Sequence, residues 1–167
     1  MVRTVYYAST SLDGFDTAGL DPTEVRAAAG AVVMGAGTYA RLLRQVRDYG
    51  PAAWDCPRGP VWVYTHHEFP GVEGADVMFV RGPVTEFAPD IEDSANGSDV
   101  WLRGPGLAAQ YLQEGLLDEL HLTLHPMLLG QGNALFGGTA FRQAQLVRAE
   151  PAGDGSLRLH YSFETGT

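Results

Sequence analysis

The stretch Val100–Phe136 decides the fold and reads VWLRGPGLAAQYLQEGLLDELHLTLHPMLLGQGNALF. It opens with a short apolar run of strand-forming residues, which the turn Arg103-Gly104-Pro105-Gly106 interrupts. From Leu107 to Gly115 the apolar residues follow helical spacing, and the final glycine stands where a helix commonly ends. Leucines then alternate with polar residues from Leu120 to Leu124, which is the period of a half-buried strand. The stretch therefore predicts a strand, a glycine turn, a helix, a strand and a glycine-rich loop.

Two other predicted strands end in similar polar turns. Ala31–Met34 is followed by Gly35-Ala36-Gly37-Thr38, after which Tyr39–Val46 shows one apolar helix face. Val61–Tyr64 ends at Thr65-His66-His67. A glycine turn before a helix leaves backbone N–H groups without partners, and these groups favour a bound anion together with the helix dipole. Because parallel strands place their carboxyl ends at one sheet edge, the three turns predict a site for an extended molecule with several phosphates.

Composition and charge narrow the class of protein. The chain has 167 residues, 45% of them hydrophobic, which predicts a single domain over residues 1–167. Its formal net charge of −9 disfavours nucleic acid and anionic membranes as partners. No apolar run approaches the roughly 20 residues of a membrane span, and Met1–Thr4 enters a strand without a signal-peptide cleavage site. The single cysteine, Cys56, permits no internal disulfide, so a cytoplasmic location is expected.

The remaining segments complete the prediction of an α/β fold. Further strands are expected at Arg3–Thr10, Val77–Val80 and Leu157–Phe163, and further helices at Asp21–Ala29 and Val84–Asp93. Helices separate the early strands, whereas the late strands follow one another without helices. This order predicts a three-layer domain with a mixed central sheet, parallel in its early strands and antiparallel at its C-terminal edge.

Four segments carry a family resemblance in the same order along the chain: Ala8–Phe15 (ASTSLDGF), Val32–Tyr39, the Val100–Leu107 strand and turn, and Gly115–Phe136. Together they resemble the dihydrofolate reductase-like superfamily, and more closely its branch that contains the reductase domain of bacterial riboflavin biosynthesis. The resemblance implies the three-layer dihydrofolate reductase-like fold. It also implies an NADPH-dependent oxidoreductase that passes hydride to a C=N or C=O bond of a small heterocycle, and a homodimer that uses the strands from Leu120 onward.

The resemblance assigns the cofactor-binding residues by motif. The pyrophosphate would lie at the helix start formed by Gly35, Gly37 and Thr38. The pyrophosphate and the nicotinamide ribose would lie over the second turn, formed by Gly104, Pro105, Gly106 and Leu107. The adenosine 2′-phosphate would be read by Thr65 and His66, and the nicotinamide ring would be bordered by Ala8, Leu12, Asp13 and Gly14.

The chain also departs from the family pattern. Ala36 stands where the family usually has a basic residue, and Arg103 replaces the first glycine of a Gly-Gly pair. Pro105 removes a further N–H donor. Positive charge for a 2′-phosphate would therefore come from the basic side chains near the three turns, namely His66, His67, Arg41 and Arg103. Only fifteen residues separate Phe15 from Ala31, which shortens the segment that lines the substrate pocket and makes folate an unexpected substrate.

Several of these residues have a structural alternative. Asp13 is the candidate catalytic acid, with water as the other proton donor, but a turn aspartate also bonds its own backbone. Thr38 could act only as a helix cap, and Arg103 is either a phosphate ligand or a solvated turn residue. His121 and His125 line a pocket, cover a dimer interface or meet water. Adjacent residues of a strand point to opposite faces, so His66 and His67 predict no metal site.

Two rival functions stay open at this point. The fold could serve a non-catalytic protein that binds a small molecule. Ala36, Pro105 and the shortened segment are departures typical of a protein that has kept the fold and lost the reaction. It could also serve a cyclase or isomerase that consumes no reduced cofactor, because fold does not fix function.

Overall fold

The structure is a computed structural model that describes residues 1–17, 28–138 and 141–164. The greater part of the predicted helix Asp21–Ala29 lies outside the described residues. The strands are β1 (Thr4–Thr10), β2 (Ala29–Gly35), β3 (Pro60–Tyr64), β4 (Asp76–Val80), β5 (Asp99–Arg103), β6 (Glu119–Leu124), β7 (Ala144–Pro151) and β8 (Leu157–Phe163). The helices are α1 (Ala36–Tyr49), α2 (Val84–Ser94) and α3 (Pro105–Gln113), with a 3₁₀ turn at Pro51–Ala53.

The strands form one eight-stranded sheet in the order β4-β3-β2-β5-β1-β6-β8-β7. From β4 to β6 each neighbouring pair is parallel, whereas β8 pairs antiparallel with both β6 and β7. The predicted mixed sheet with an antiparallel C-terminal edge is confirmed. Because the first six strands are parallel, their carboxyl ends lie along one edge, where β1, β2, β3 and β5 each run into a polar turn.

Helices cover both faces of the parallel part of the sheet. Val33 and Leu102 belong to the core beneath α2 and α3, whereas Val32 and Trp101 belong to the core beneath α1. Adjacent residues of one strand therefore enter opposite cores, which explains why these strands read as continuous apolar runs. The predicted three layers are present. Tyr39 and Trp101 are fully buried.

The sequence did not predict β7. A register shift between Leu146 and Arg148 breaks the alternation of this edge strand, and Leu146 and Val147 stand side by side with 57% of each exposed. A bulged edge strand has no clear period of two, so the pattern that identified the other strands is missing here. No helix among the described residues is long and apolar enough to cross a membrane.

Several predicted boundaries also move, and two of these shifts have a clear structural reason. The strand predicted at Ala31–Met34 begins at Ala29, because pairing with β5 continues past an irregularity between Ala29 and Ala31. The helix predicted from Leu107 begins at Pro105, since proline has the backbone angle required at the first helical position and needs no N–H partner there.

Candidate functional site

The two glycine turns meet at the carboxyl edge of the sheet. β2 and β5 are neighbours, with Met34 paired to Arg103, so Gly35 and Gly104 follow side by side. A Cβ atom on Gly104 would lie 2.6 Å from Oγ1 of Thr38, and Gly104 has a φ of +99°. Both facts exclude larger residues, because the contact is too short and L-residues rarely adopt this conformation. Close packing of the two turns thus requires glycine at this position.

This contact brings two helix starts together. α1 begins at Ala36 and α3 at Pro105, and among the described residues neither start has a side-chain cap or an acidic residue in its first turn. The first-turn N–H groups have no partner within their own helix. Two such starts produce a positive potential that favours an anion. Pro105 contributes no N–H, and the side chain of Leu107 is buried in the core, so this residue has only its backbone to offer a ligand.

Open space faces three glycines of these two turns. Apart from the adjoining backbone, a Cβ atom built on Gly35, Gly37 or Gly106 would meet no described atom within 4 Å. Glycine at these positions is therefore not needed to avoid a clash inside the described chain. The absence of side chains leaves the backbone of both helix starts accessible, which suits the close approach of a diphosphate.

The end of β3 supplies two more predicted residues. The Thr65 hydroxyl is buried, donates to the carbonyl of His67 at 3.1 Å and accepts from the backbone N–H of His67 at 2.9 Å. The His66 side chain is exposed beside this turn. Thr65 therefore shapes the turn, and the exposed side chains of His66 and His67 are accessible to a ligand.

Arg103 was expected as a phosphate ligand or a solvated turn residue, and the structure supports neither role. Its side chain is 5% exposed, so the solvated-turn alternative is wrong. One terminal nitrogen donates to the carbonyl of Asp55 at 2.8 Å, and the other lies 3.6 Å from the Asp55 carboxylate. The guanidinium also lies 4.5 Å from the centre of the Trp101 ring. These contacts hold Arg103 against the loop before β3, and they oppose a role as phosphate ligand.

The loop after β1 joins the site from the other side. Ala8 is buried in β1, Leu12 is 55% exposed, and Gly14 adopts a φ of +86° in the turn. Asp13 lies at the centre of a clamp, because its carboxylate accepts from the backbone N–H groups of Leu129 at 3.1 Å and Gly130 at 2.8 Å. It fixes the 11–17 loop to the glycine-rich loop after β6.

These contacts change the pKa of Asp13, the candidate catalytic acid. The hydrogen bond from the Ser11 hydroxyl at 2.5 Å, with those from Gly130 and Leu129, lowers the pKa of Asp13 to about 2. The carboxylate is therefore ionised near neutral pH and has no proton to donate. The structural alternative, an aspartate that holds its turn, is the one these contacts favour.

A second polar cluster, which the sequence did not predict, lies on β6 and β8. Nε2 of His121 and Nε2 of His160 lie 3.2 Å and 3.0 Å from the same oxygen, Oε2 of Glu119. The other oxygen, Oε1, pairs with Arg3. The two imidazoles stack with centroids 4.1 Å apart, and Tyr7 stacks on the far side of His121 at 4.7 Å.

The charges in this cluster follow from burial and contact. Burial acts to raise the pKa of Glu119, but the hydrogen bond with His121 and the charge of Arg3 outweigh it, and the pKa lies below its ordinary value. Burial lowers the pKa of His121 and outweighs the hydrogen bond with Glu119. Near neutral pH the cluster therefore contains a carboxylate beside a neutral His121 imidazole.

The chain is similar in sequence and in fold to several known proteins. The family model described as the RibD C-terminal domain matches residues 92–157. The uncharacterized protein YyaP of Bacillus subtilis is 44% identical over 69 residues, which cover 40% of this chain and 37% of YyaP. A putative riboflavin biosynthesis protein from Shewanella sp. PV-4 superposes with a TM-score of 0.78 over 98% of this chain and 99% of that one, at 21% identity. Dihydrofolate reductase from Enterococcus faecalis, complexed with NADP(H), superposes with a TM-score of 0.65 over 97% and 96%, at 13% identity.

The chain has the dihydrofolate reductase-like fold. The match to the RibD C-terminal domain confirms the resemblance to the riboflavin-reductase branch. The matched residues include β5, the Gly104 turn, α3 and β6. The aligned stretch spans little more than a third of the length of YyaP, and the structural similarities lie at low identity, so these comparisons establish the fold and the resemblance.

Proposed function

We propose that the protein is a reductase that binds NADPH at the carboxyl edge of the sheet and reduces a C=N or C=O bond of a small heterocyclic substrate. One observation carries this proposal. Two uncapped helix starts meet where Thr38 Oγ1 occupies the space beside Gly104, and the glycines around them leave the backbone open. This arrangement suits a dinucleotide diphosphate better than a single phosphate, because two separate helix starts are available for its two phosphoryl groups.

The residues of the chain would supply binding and orientation, and NADPH when bound would supply the hydride. In this proposal the backbone N–H groups of Gly37, Thr38 and Gly106 bind the diphosphate. The exposed ring of His66 reads the 2′-phosphate, since Arg103 is held by Asp55. Preference for NADPH over NADH would then depend on the His66 side chain.

Proton delivery is assigned to water in this proposal. Asp13 has a pKa of about 2 and its carboxylate accepts three hydrogen bonds, so it holds the 11–17 loop in position beside the nicotinamide. Asp13 is then a positioning residue. Its replacement by asparagine would lower the rate without moving a limb of the pH–rate profile, whereas loss of an acid catalyst would remove a limb.

Thermal unfolding with NADPH and, separately, NADH tests the cofactor assignment. A ligand at a hundred times its dissociation constant stabilises by about 2.7 kcal/mol, or several degrees for a domain of this size. Gly37→Glu is the informative variant, because a Cβ atom at Gly37 meets nothing and an ordinary helical position tolerates glutamate. We expect it to unfold at or above the temperature of the parent protein and to lose the shift with NADPH.

The matched control is Gln45→Glu, which adds the same charge to an exposed position of α1 away from its start. We expect it to retain the shift with NADPH. Equal loss of NADPH binding in both variants would show that the added negative charge causes the loss wherever it is placed on the helix. No shift of the parent protein with either nucleotide would contradict the proposed function and favour a small-molecule-binding protein without redox activity.

The expected homodimer belongs to the same proposal. The strands after Leu120 end in an edge whose Leu146 and Val147 side chains are each 57% exposed, and such apolar exposure favours burial against a second copy. Light scattering of the pure protein decides this point, since the mass of one chain, 18.0 kDa, would contradict a dimer.

A further inference from the structure

The cluster of Glu119, His121 and His160 has the composition of a metal site. Each residue offers one ligand atom, and the three atoms lie within 4.8 Å of one another. Two imidazole nitrogens and one carboxylate oxygen are ligands that Zn²⁺ and other late first-row divalent cations prefer. We propose that these three side chains bind such a cation, with water completing the coordination.

The distances suit this assignment. Two ligand atoms at about 2.0 Å from a tetrahedral zinc lie about 3.3 Å apart. In the structure Oε2 of Glu119 lies 3.0 Å and 3.2 Å from the two Nε2 atoms. All three atoms lie within 4.8 Å of one another, and the two imidazoles would tilt out of their stack to bring both nitrogens to one ion. The cation would take the place of the hydrogen-bond contacts between the two nitrogens and this oxygen.

The backbone holds these ligands in place. Glu119 and His121 are two residues apart on one face of β6, and His160 is the direct partner of His121 on β8. Both strands lie inside the sheet, so their spacing is set by backbone pairing. Arg3 binds Oε1 of Glu119 and leaves Oε2 directed toward the histidines. Tyr7 supports the ring of His121. A site built in this way needs little rearrangement to bind a cation.

One feature of the cluster opposes cation binding. The guanidinium of Arg3 lies against the same carboxylate, so a bound cation and Arg3 would share one negative charge. This repulsion limits the affinity. Glutamine can still donate a hydrogen bond to Oε1 but carries no charge, so Arg3→Gln should keep Glu119 oriented and bind zinc more tightly than the parent protein. An arginine that matters only for folding would not have that effect.

The proposed metal site is separate from the glycine turns. Glu119 is the first residue of β6 and pairs with Val5, near the amino end of β1. The turns lie at the opposite, carboxyl ends of the parallel strands. Metal binding therefore does not rest on the proposed reductase function, and either one can fail without the other.

Zinc titration of the metal-free full chain by calorimetry tests the proposal, with Co²⁺ absorption in the visible range as a report on nitrogen and oxygen ligation. We expect one zinc per chain in the parent protein. Loss of a partner that merely orients a ligand already weakens metal binding by about tenfold to a hundredfold. Glu119→Gln and His160→Ala, which each remove a ligand, should therefore weaken zinc binding at least tenfold.

The control is the double variant His66→Ala/His67→Ala, which removes the exposed histidine pair after β3 and should retain full zinc binding. Thermal unfolding without metal shows that each variant is folded. If His160→Ala folds and binds zinc as tightly as the parent protein, the proposal is wrong. It is equally wrong if the parent protein binds no zinc, or if the double variant abolishes binding.

Discussion

The glycine edge comprises the Gly35–Thr38 turn, the Arg103–Gly106 turn and the 11–17 loop, and the β6–β8 cluster comprises Glu119, His121 and His160. These two polar sites are built in opposite ways. At the glycine edge the working groups are backbone N–H donors, and the residues around them are there because they have no side chain. In the β6–β8 cluster the working groups are three large side chains that project from neighbouring strands onto one point. The first arrangement suits a large anion, and the second suits a small cation.

The two regions depend on different features of the fold. The glycine edge depends on local conformation, since each helix start follows its strand directly in the chain. The cluster depends on register, since a shift of β8 by one residue would turn His160 to the other face of the sheet. Damage to each region should therefore have different consequences, which the following variants separate.

The largest effect is expected for Gly104→Ala. The methyl group meets Thr38 Oγ1 at 2.6 Å, and φ of +99° strains any L-residue. Strain and overpacking together should cost about 2 to 4 kcal/mol of unfolding free energy, measured by chemical denaturation. NADPH binding should fall as well, because the two helix starts are pushed apart.

Thr38→Ala supplies the control for this variant. It removes the atom that the new methyl group meets, so the double variant should recover part of the loss and leave only the conformational strain. The expected coupling is about 1 kcal/mol or more, within the range seen for residues in contact. Additive losses would mean that Thr38 and Gly104 are not packed as described.

An intermediate effect is expected when zinc and NADPH are each tested on two variants, one of which damages the β6–β8 cluster and the other the glycine edge. Glu119→Gln should lose half or more of the thermal stabilisation by zinc and keep that by NADPH, and Gly37→Glu should show the reverse. Each ligand at a hundred times its dissociation constant for the parent protein contributes about 2.7 kcal/mol, and a tenfold loss of affinity at the same concentration reduces this to about 1.4 kcal/mol, so the change is easily measured. Loss of both shifts in either variant would show that the two regions are coupled.

The same contrast explains how much the sequence could predict. The turn from Gly35 to Thr38 and the turn from Arg103 to Gly106 were visible because glycine, proline and threonine act on the residues next to them. Their meeting followed from the parallel sheet, which the order of strands and helices predicted. The confirmed fold and the resemblance rest on these local signals.

The cluster was not visible, because its third member comes from a strand far along the chain. Glu119 and His121 show their common face by their spacing of two, but nothing local indicates that His160 faces them. That fact is set by the antiparallel register of β6 and β8. The contacts of Arg103 were not visible for a related reason, since its partner Asp55 belongs to a loop 48 residues earlier.

The smallest effect is expected for Asp13→Asn, and it tests the part of the glycine edge that depends on a distant contact. The turn at Asp13 was predicted, but its clamp on Leu129 and Gly130, more than a hundred residues away, was not. Asparagine resembles the protonated acid and accepts these hydrogen bonds more weakly. Because the carboxylate is exposed, the loss of unfolding free energy should be small.

The pH dependence of this loss identifies its cause. The folded-state pKa of Asp13 is about 2, below its ordinary value of 3.8. The stabilisation from the ionised carboxylate is therefore complete above about pH 5, and it is lost as the pH falls through 4 toward 2. Denaturation of both proteins across this range should show a constant difference near neutral pH that narrows toward pH 2. A difference that stays constant down to pH 2 would mean that the carboxylate charge does not hold the loop, and the case for Asp13 as an acid would reopen.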